Sequence, residues 1–280
     1  MTRRSMSLVS PAVEALRIID SWGARNAAAG VTRSGGELAA HGPRDVPLRW
    51  ASVTKLLTGL AALVAVEEGT VDLDEAAGPP GSTLRHLLAH ASGLPPEAGP
   101  PLMAPARRRI YSNAGIEDAA ALVEARAEMP FADYLAAAVL DPLGLAGELR
   151  GSPAWGYVGP LDDLLALGRE LLAPTLVAAE TLAEATSVQF PGLSGVLPSF
   201  GRMEPNDWGL AVELRDDKHP HWTGTRNSPR TFGHFGAAGT FLWVDPDAGL
   251  ACGVLTDREF GDWAKEAWPR LGDAVLADKT

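Results

Sequence analysis

Apolar residues recur at helical spacing from position 11 to about 22, and Glu14, Arg17 and Asp20 occupy the positions between them. Pro11 suits the first turn of such an amphipathic helix. Two short apolar runs, 27–32 and 37–41, then flank Arg33-Ser34-Gly35-Gly36, which is hairpin punctuation. From 52 to about 174 the pattern is mostly helical, with Ala- and Leu-rich runs broken by Gly and Pro, and another helical piece follows at 177–185. From about 208 the period shortens. Strand-like runs at 208–214, 231–234, 240–244 and 250–256 precede a last amphipathic helix over 263–277.

This order predicts an α+β fold, in which both ends of the chain build one antiparallel sheet flanked by terminal helices, with a helical lobe against it. No repeat or low-complexity linker divides the sequence. Residues 1–280 therefore read as a single domain, with an α/β lobe from 11–75 and 200–280 and a helical lobe from 76–199. The cleft between the lobes is the expected place for a small-molecule site.

Composition narrows the function classes. A net charge of −11 argues against nucleic acid, and the one basic cluster, Arg107-Arg108-Arg109, is too short to change that. The single cysteine, Cys252, excludes an intramolecular disulfide framework and a thiolate metal cluster, and its strand-like surroundings make it a small apolar filler. Arg3-Arg4 resembles the start of an export signal, but Glu14, Arg17 and Asp20 interrupt the stretch that should be apolar. The longest apolar run elsewhere, about 56–66, is too short to span a bilayer. A cytoplasmic protein without a membrane span is expected.

The most informative segment begins at Ser52. The run 52–66 is apolar nearly all round, as a core helix is. Ser52 stands at its head, beside backbone N–H groups that lack an intrahelical partner, and Lys55 lies about one turn on, on the same face. Desolvation at the head of a buried helix favours a neutral lysine amine, which can act as a base, and a serine beside it becomes a nucleophile. With fourteen serines and four lysines in 280 residues, chance alone yields a Ser-x-x-Lys about once in five such chains, so the position in the helix carries more weight than the spacing. Tyr111-Ser112-Asn113 could add a tyrosine that shuttles protons. The stretch 232–240 has three glycines in seven residues beside a strand, which lets backbone pass close to a ligand.

Together these three motifs resemble the serine β-lactamase-related family, which includes class C β-lactamases, D-alanyl-D-alanine carboxypeptidases and family VIII esterases. The stretch 84–95, Leu-Arg-His-Leu-Leu-Ala-His-Ala-Ser-Gly-Leu-Pro, is similar to the family's sequence after the nucleophile helix, and 241–246 resembles the strand after its third motif. The resemblance spans roughly 50–254 and implies a β-lactamase/transpeptidase-like fold. It also implies that Ser52 is the acylated nucleophile, Lys55 the general base or its proton partner, and Tyr111 the mover of protons. Asn113 would bind the acyl side, the third motif His234-Phe235-Gly236-Ala237 would line the substrate, and the N–H groups of Ser52 and Ala237 would form an oxyanion hole. No metal or organic cofactor is implied.

The third motif departs from members that bind a carboxylate. His234 holds its first place, but Phe235 and Ala237 stand where threonine or serine would supply hydroxyls. An apolar pair cannot donate to an anion. A serine hydrolase acting on an uncharged small-molecule ester or amide is therefore expected. The alternatives are a β-lactamase or D-alanyl-D-alanine carboxypeptidase, an acyltransferase using the same acyl-enzyme, and a non-catalytic binding protein that keeps the pocket. The oligomeric state is left open.

Other chemistry-bearing residues read as structural. His86 and His90 are spaced i, i+4 but lack an intervening glutamate and a third ligand. His219-Pro220-His221, near Asp216 and Asp217, reads as a solvated loop, and Asp72, Asp74 and Glu75 as a solvated turn with capping carboxylates. Trp208, Trp222 and Trp243 could line the cleft, with core packing the default for each.

Overall fold

The computed structural model describes residues 11–277, and the 2–9 segment weighed as an export signal lies outside them. Helix α1 (Pro11–Leu16) tightens into a 3-10 turn over Arg17–Ser21 and leads to strands β1 (Ala27–Arg33), β2 (Gly36–His41) and β3 (Leu48–Arg49). A second 3-10 turn, Ala51–Val53, runs into α2 (Thr54–Glu67), followed by α3 (Leu84–Leu88), α4 (Asn113–Ala127), α5 (Phe131–Leu135) and α6 (Asp141–Leu143). Strands β4 (Glu148–Leu149) and β5 (Tyr157–Gly159) precede α7 (Leu161–Leu172) and α8 (Ala179–Ala185). The strands β6 (Gly195–Leu197), β7 (Gly201–Met203), β8 (Glu213–Leu214), β9 (Phe232–Gly236), β10 (Thr240–Asp245) and β11 (Leu250–Thr256) follow, and α9 (Asp262–Ala277) closes the described chain.

The two ends of the chain meet in one sheet of six strands, in the order β2-β1-β11-β10-β9-β8. All its neighbours are antiparallel, and β1 lies along β11 from Ala27 opposite Thr256 to Thr32 opposite Ala251. Alternation along β10 and β11 divides the core in two. Phe241, Trp243, Cys252 and Val254 pack with Leu16 and Ile19 at the N-terminus and with Trp268 and Leu271 of α9. Leu242, Val244, Ala251 and Leu255 pack instead with α7 and α2. Helix α7 sits hard against the sheet because β1 carries a glycine there: a Cβ on Gly30 would lie 2.7 Å from the Leu165 side chain. Cys252 is fully buried, and burial pushes its thiol up, so it acts as the apolar filler expected.

Several local features differ from the sequence pattern. The run 208–214 pairs in the sheet only at Glu213–Leu214, because the Leu210 and Ala211 N–H groups turn away to the carbonyls of Ala185 and Leu88. Within 52–174, two short strands interrupt the helices, and 92–105 is irregular where prolines and glycines crowd. The third arginine of the basic cluster is buried: Arg109 donates to the carbonyls of Ala89, Gln189 and Asn206. The turn at 72–75 is as expected, with the Asp72 carboxylate accepting the Asp74 N–H at 2.7 Å and Asp74 paired with Arg85.

The 216–221 loop is solvated only in part: Asp217, His219 and Pro220 are exposed, but two of its side chains are not. Lys218 and His221 fold inward onto the fully buried Glu213 carboxylate, which also accepts from the Trp222 indole at 2.9 Å. The Lys218 side chain, the His221 ring and the Trp222 indole N–H supply what water would have supplied. Burial pushes the Glu213 carboxyl up, but His221 and Lys218 outweigh it and hold it down at about 2. Its stabilising contribution is thus complete above the ordinary carboxyl range and is lost as the pH falls from about 4.5 through about 2. Lys218→Met should cost about 3–5 kcal/mol, because it strands a buried carboxylate. Urea denaturation of the variant at pH 7 checks this, and an unchanged midpoint would contradict it.

Candidate active site

Ser52 sits in a turn that is stitched to β5 and to β10. The preceding Trp50 is fully buried, its N–H donates to the Tyr157 carbonyl at 2.9 Å and its indole N–H to the Gly159 carbonyl at 3.2 Å. Its own carbonyl accepts the Thr240 hydroxyl at 2.9 Å, which ties the turn to β10. Ala51 is held at φ +46°, a left-handed conformation that costs a residue with a Cβ. Strand β9 passes against this turn. A Cβ on Gly236 would lie 2.5 Å from the Trp50 carbonyl oxygen and 2.9 Å from the Ala51 Cβ, so only glycine lets the strand approach.

Lys55 lies one turn further into α2 and is fully buried. Its Nζ is 3.3 Å from Ser52 Oγ, 2.7 Å from Asn113 Oδ1 and 2.9 Å from the Ala154 carbonyl oxygen. Desolvation lowers its pKa to about 7, against the opposing pull of Glu97 and Glu117. The 153–157 segment braces the same helix, for Thr58 donates to the Pro153 carbonyl at 2.6 Å and Thr54 Oγ1 accepts the Tyr157 N–H at 3.1 Å. Asn113 Nδ2 donates to Glu97 at 2.8 Å, which fixes the orientation of its amide toward Lys55.

Tyr111 faces this pair with Lys55 Nζ 4.8 Å from its ring centroid. Burial pushes its hydroxyl well above the ordinary tyrosine value, with hydrogen bonding to Ser52 acting the other way. Its ring lies among those of His90, Trp208 and His234, at centroid separations of 4.7, 5.7 and 5.8 Å. From the third motif, His234 is buried toward Tyr111, whereas Phe235 packs among Phe200, Trp222 and Phe260. His234 Nδ1 is 2.7 Å from the Phe235 carbonyl oxygen and must donate to it, which leaves Nε2 with a lone pair. Desolvation, with Lys55 adding to it, lowers the His234 pKa to about 3, so the ring is neutral at pH 7. Ala237 is exposed at the strand end.

Ser52 and Ala237 divide the cleft into two chambers. One of about 290 Å³ is bordered by Asn113, Arg49, Arg150, Trp155 and Val158. The other, about 170 Å³, is bordered by Tyr111, Trp208, His234, Phe235, Phe260 and Pro198, with the exposed Ser199 at its edge. All eight residues expected at a site, Ser52, Lys55, Tyr111, Asn113 and 234–237, thus converge on one cleft. The Ala154 carbonyl and Glu97 carry no signal at the level of sequence, since neither belongs to a recognisable pattern. Trp155, a tryptophan 48% exposed, is the kind of surface aromatic that marks a binding rim. Trp208 lines the cleft, while Trp222 and Trp243 are core residues. His86 is bonded to the Thr83 hydroxyl at 2.9 Å, and no cluster able to hold a metal ion occurs among the described residues.

The beta-lactamase family model matches residues 16–276. The chain belongs to the beta-lactamase family. Members of this family are serine hydrolases acting on small molecules. The crystal structure of a beta-lactamase from Mycobacterium bovis is 51% identical and superposes with a TM-score of 0.93, over 95% of this chain and 99% of that one. Two more distant structures share the fold. Simvastatin synthase from Aspergillus terreus is 17% identical with a TM-score of 0.82, covering 97% of this chain and 99% of its own. The hydrolase EstCE1, described as having promiscuous acyltransferase activity, is 18% identical with a TM-score of 0.78, covering 95% and 97%. None of the curated proteins compared matches the chain.

The contact between β9 and the Ser52 turn yields a test within this family fold. Gly236→Ala should push the strand from the turn and lower kcat/KM for whatever substrate the cleft turns over by about tenfold or more. Kinetics of the folded variant check this, and wild-type kinetics would contradict it.

Proposed function

We propose that the protein is a serine hydrolase cleaving uncharged carboxylic esters through an acyl-enzyme on Ser52. The observation that carries the reading is the hydrogen-bond count at Lys55. A neutral amine has two N–H donors, and two fixed acceptors, Asn113 Oδ1 at 2.7 Å and the Ala154 carbonyl at 2.9 Å, engage both. The remaining lone pair is left for the Ser52 hydroxyl at 3.3 Å. Lys55 is then the base, and Tyr111, whose hydroxyl stays protonated, is the acid. In acylation, Ser52 Oγ attacks the ester carbonyl as its proton passes to Lys55 Nζ. The N–H groups of Ser52 and Ala237 hold the resulting oxyanion, and the second N–H of Asn113 Nδ2 is available to the acyl side. As the tetrahedral intermediate collapses, the departing alkoxide takes the Tyr111 proton, and the Lys55 ammonium restores it. Water repeats the sequence on the acyl-enzyme, giving the carboxylic acid and the free serine.

The aromatic chamber supports an uncharged substrate. Its third-motif residues offer a neutral imidazole whose only N–H is already donated to the Phe235 carbonyl, an aromatic ring and an alanine. A carboxylate placed there would find neither cation nor third-motif hydroxyl, and its desolvation would go uncompensated. The 51% identical Mycobacterium bovis protein is described as a beta-lactamase, which makes β-lactam turnover the second reading. The proposal includes a cytoplasmic location, read from the sequence; no helix among the described residues is long and apolar enough to cross a membrane.

The test compares wild type with Ser52→Ala and Lys55→Arg on p-nitrophenyl butyrate and nitrocefin. Ester hydrolysis should fall by about a hundredfold or more in both variants, with little nitrocefin turnover by wild type. In wild type, kcat/KM should rise with pH through an inflection near 7, because only the deprotonated Lys55 amine accepts the serine proton. Efficient nitrocefin cleavage would favour the β-lactamase reading. Acyl transfer to an added alcohol outrunning hydrolysis would favour an acyltransferase.

A further inference from the structure

We propose that His90 is a positioning residue that holds Tyr111 in place through the backbone on both sides of it; the inference rests on the serine-hydrolase reading above. His90 follows α3 and is buried at φ +54°. Its carbonyl accepts the Ile110 N–H at 3.0 Å, and its Nδ1 accepts the Ser112 N–H at 3.1 Å. One residue therefore bonds to the positions immediately before and after the tyrosine. Its ring lies 4.7 Å from the Tyr111 ring and meets Trp208 edge-on at the same separation. Tyr111 is thus fixed both in backbone and in ring orientation by the same histidine.

The chemistry of the ring distinguishes this role from packing. Because Nδ1 accepts, the ring proton of the neutral imidazole is on Nε2, and Nε2 is buried without a partner. An apolar side chain would fill the space without an orphaned N–H, so packing alone gives no reason for an imidazole here. Burial, with Lys55, His234 and Arg109 nearby, keeps His90 well below the ordinary histidine value, so the acceptor is retained at neutral pH. The bond also reaches the next functional residue. Ser112 caps α4, with its Oγ accepting the Gly115 N–H at 2.9 Å and donating to the Pro95 carbonyl at 2.6 Å. Fixing the Ser112 N–H therefore sets the start of the helix that presents Asn113 to Lys55.

The test pairs His90→Asn with His90→Leu. Asparagine keeps a side-chain acceptor and tolerates the left-handed backbone, whereas leucine keeps bulk and loses the acceptor. Two readouts are taken on folded protein, the rate constant for fluorophosphonate labelling of Ser52 and the kcat and KM for p-nitrophenyl butyrate. His90→Leu should lose about tenfold or more in labelling rate and kcat with KM within about twofold, and His90→Asn should stay within about threefold of wild type. A leucine variant that labels at the wild-type rate would overturn the proposal. So would an asparagine variant that loses more than about tenfold, an arm that decides the matter even if the leucine variant does not fold. Wild type that labels at Ser52 without turning over esters would refute the ester reading alone, since labelling rates still test His90. Wild type that does not label would overturn both.

Discussion

An amine buried at the head of a core helix is the constraint around which the cleft is arranged. Lys55 has no solvent to satisfy it, so every hydrogen-bonding atom within reach must come from the protein. Those atoms arrive from three separate parts of the chain: Ser52 one turn back, Asn113 at the start of α4, and the Ala154 carbonyl from the segment before β5. Holding them there requires α4 and the 152–157 segment to pack against α2, which is what the helical side of the molecule does. The same desolvation that makes the lysine costly lowers its proton affinity to a range where it can exchange a proton with serine. Stability and chemistry are linked in one residue.

The sheet contributes by proximity. Strand β9 reaches the Ser52 turn only because Gly236 has no side chain, and Trp50 ties that turn to β5 and β10 at once. On the far side of β9, Glu213 opposes Gly233 in the register and carries the buried Lys218 and His221 pairs. The strand that borders the cleft is therefore packed between the Ser52 turn on one side and a buried ion cluster on the other. The result is a cleft whose two chambers share Ser52 and Ala237 and differ in character, one flanked by Arg49 and Arg150 and the other by aromatic rings.

Features written in local pattern were legible in the sequence. The strand at 250–256 and the hairpin at 27–41 follow from short apolar runs and a Ser-Gly-Gly turn, and the apolar run after Ser52 announces a core helix. The eight residues expected at the site are those the fold brings to one cleft, because they fall in motifs of fixed spacing. Features that depend on distant partners were hidden. Arg109 looks like one of three surface arginines until Ala89, Gln189 and Asn206 turn their carbonyls toward it. The loop at 216–221 has the composition of a solvated turn, and only Glu213, placed by β8, draws Lys218 and His221 inward. The shortening of the 208–214 strand has the same origin, since its N–H groups bond to Ala185 and Leu88 rather than to a strand.

The proposed acyl-enzyme chemistry requires Lys55 to lose its proton near physiological pH, where burial brings its pKa to about 7. With only four lysines in the chain, selective isotope labelling of lysine and an NMR pH titration can follow each side chain separately. One lysine should titrate near pH 7, and its signal should disappear in Lys55→Arg. Titration of Lys55 near the ordinary lysine value of about 10.4 would contradict it, because the serine proton would then have no acceptor at the pH where the enzyme must work.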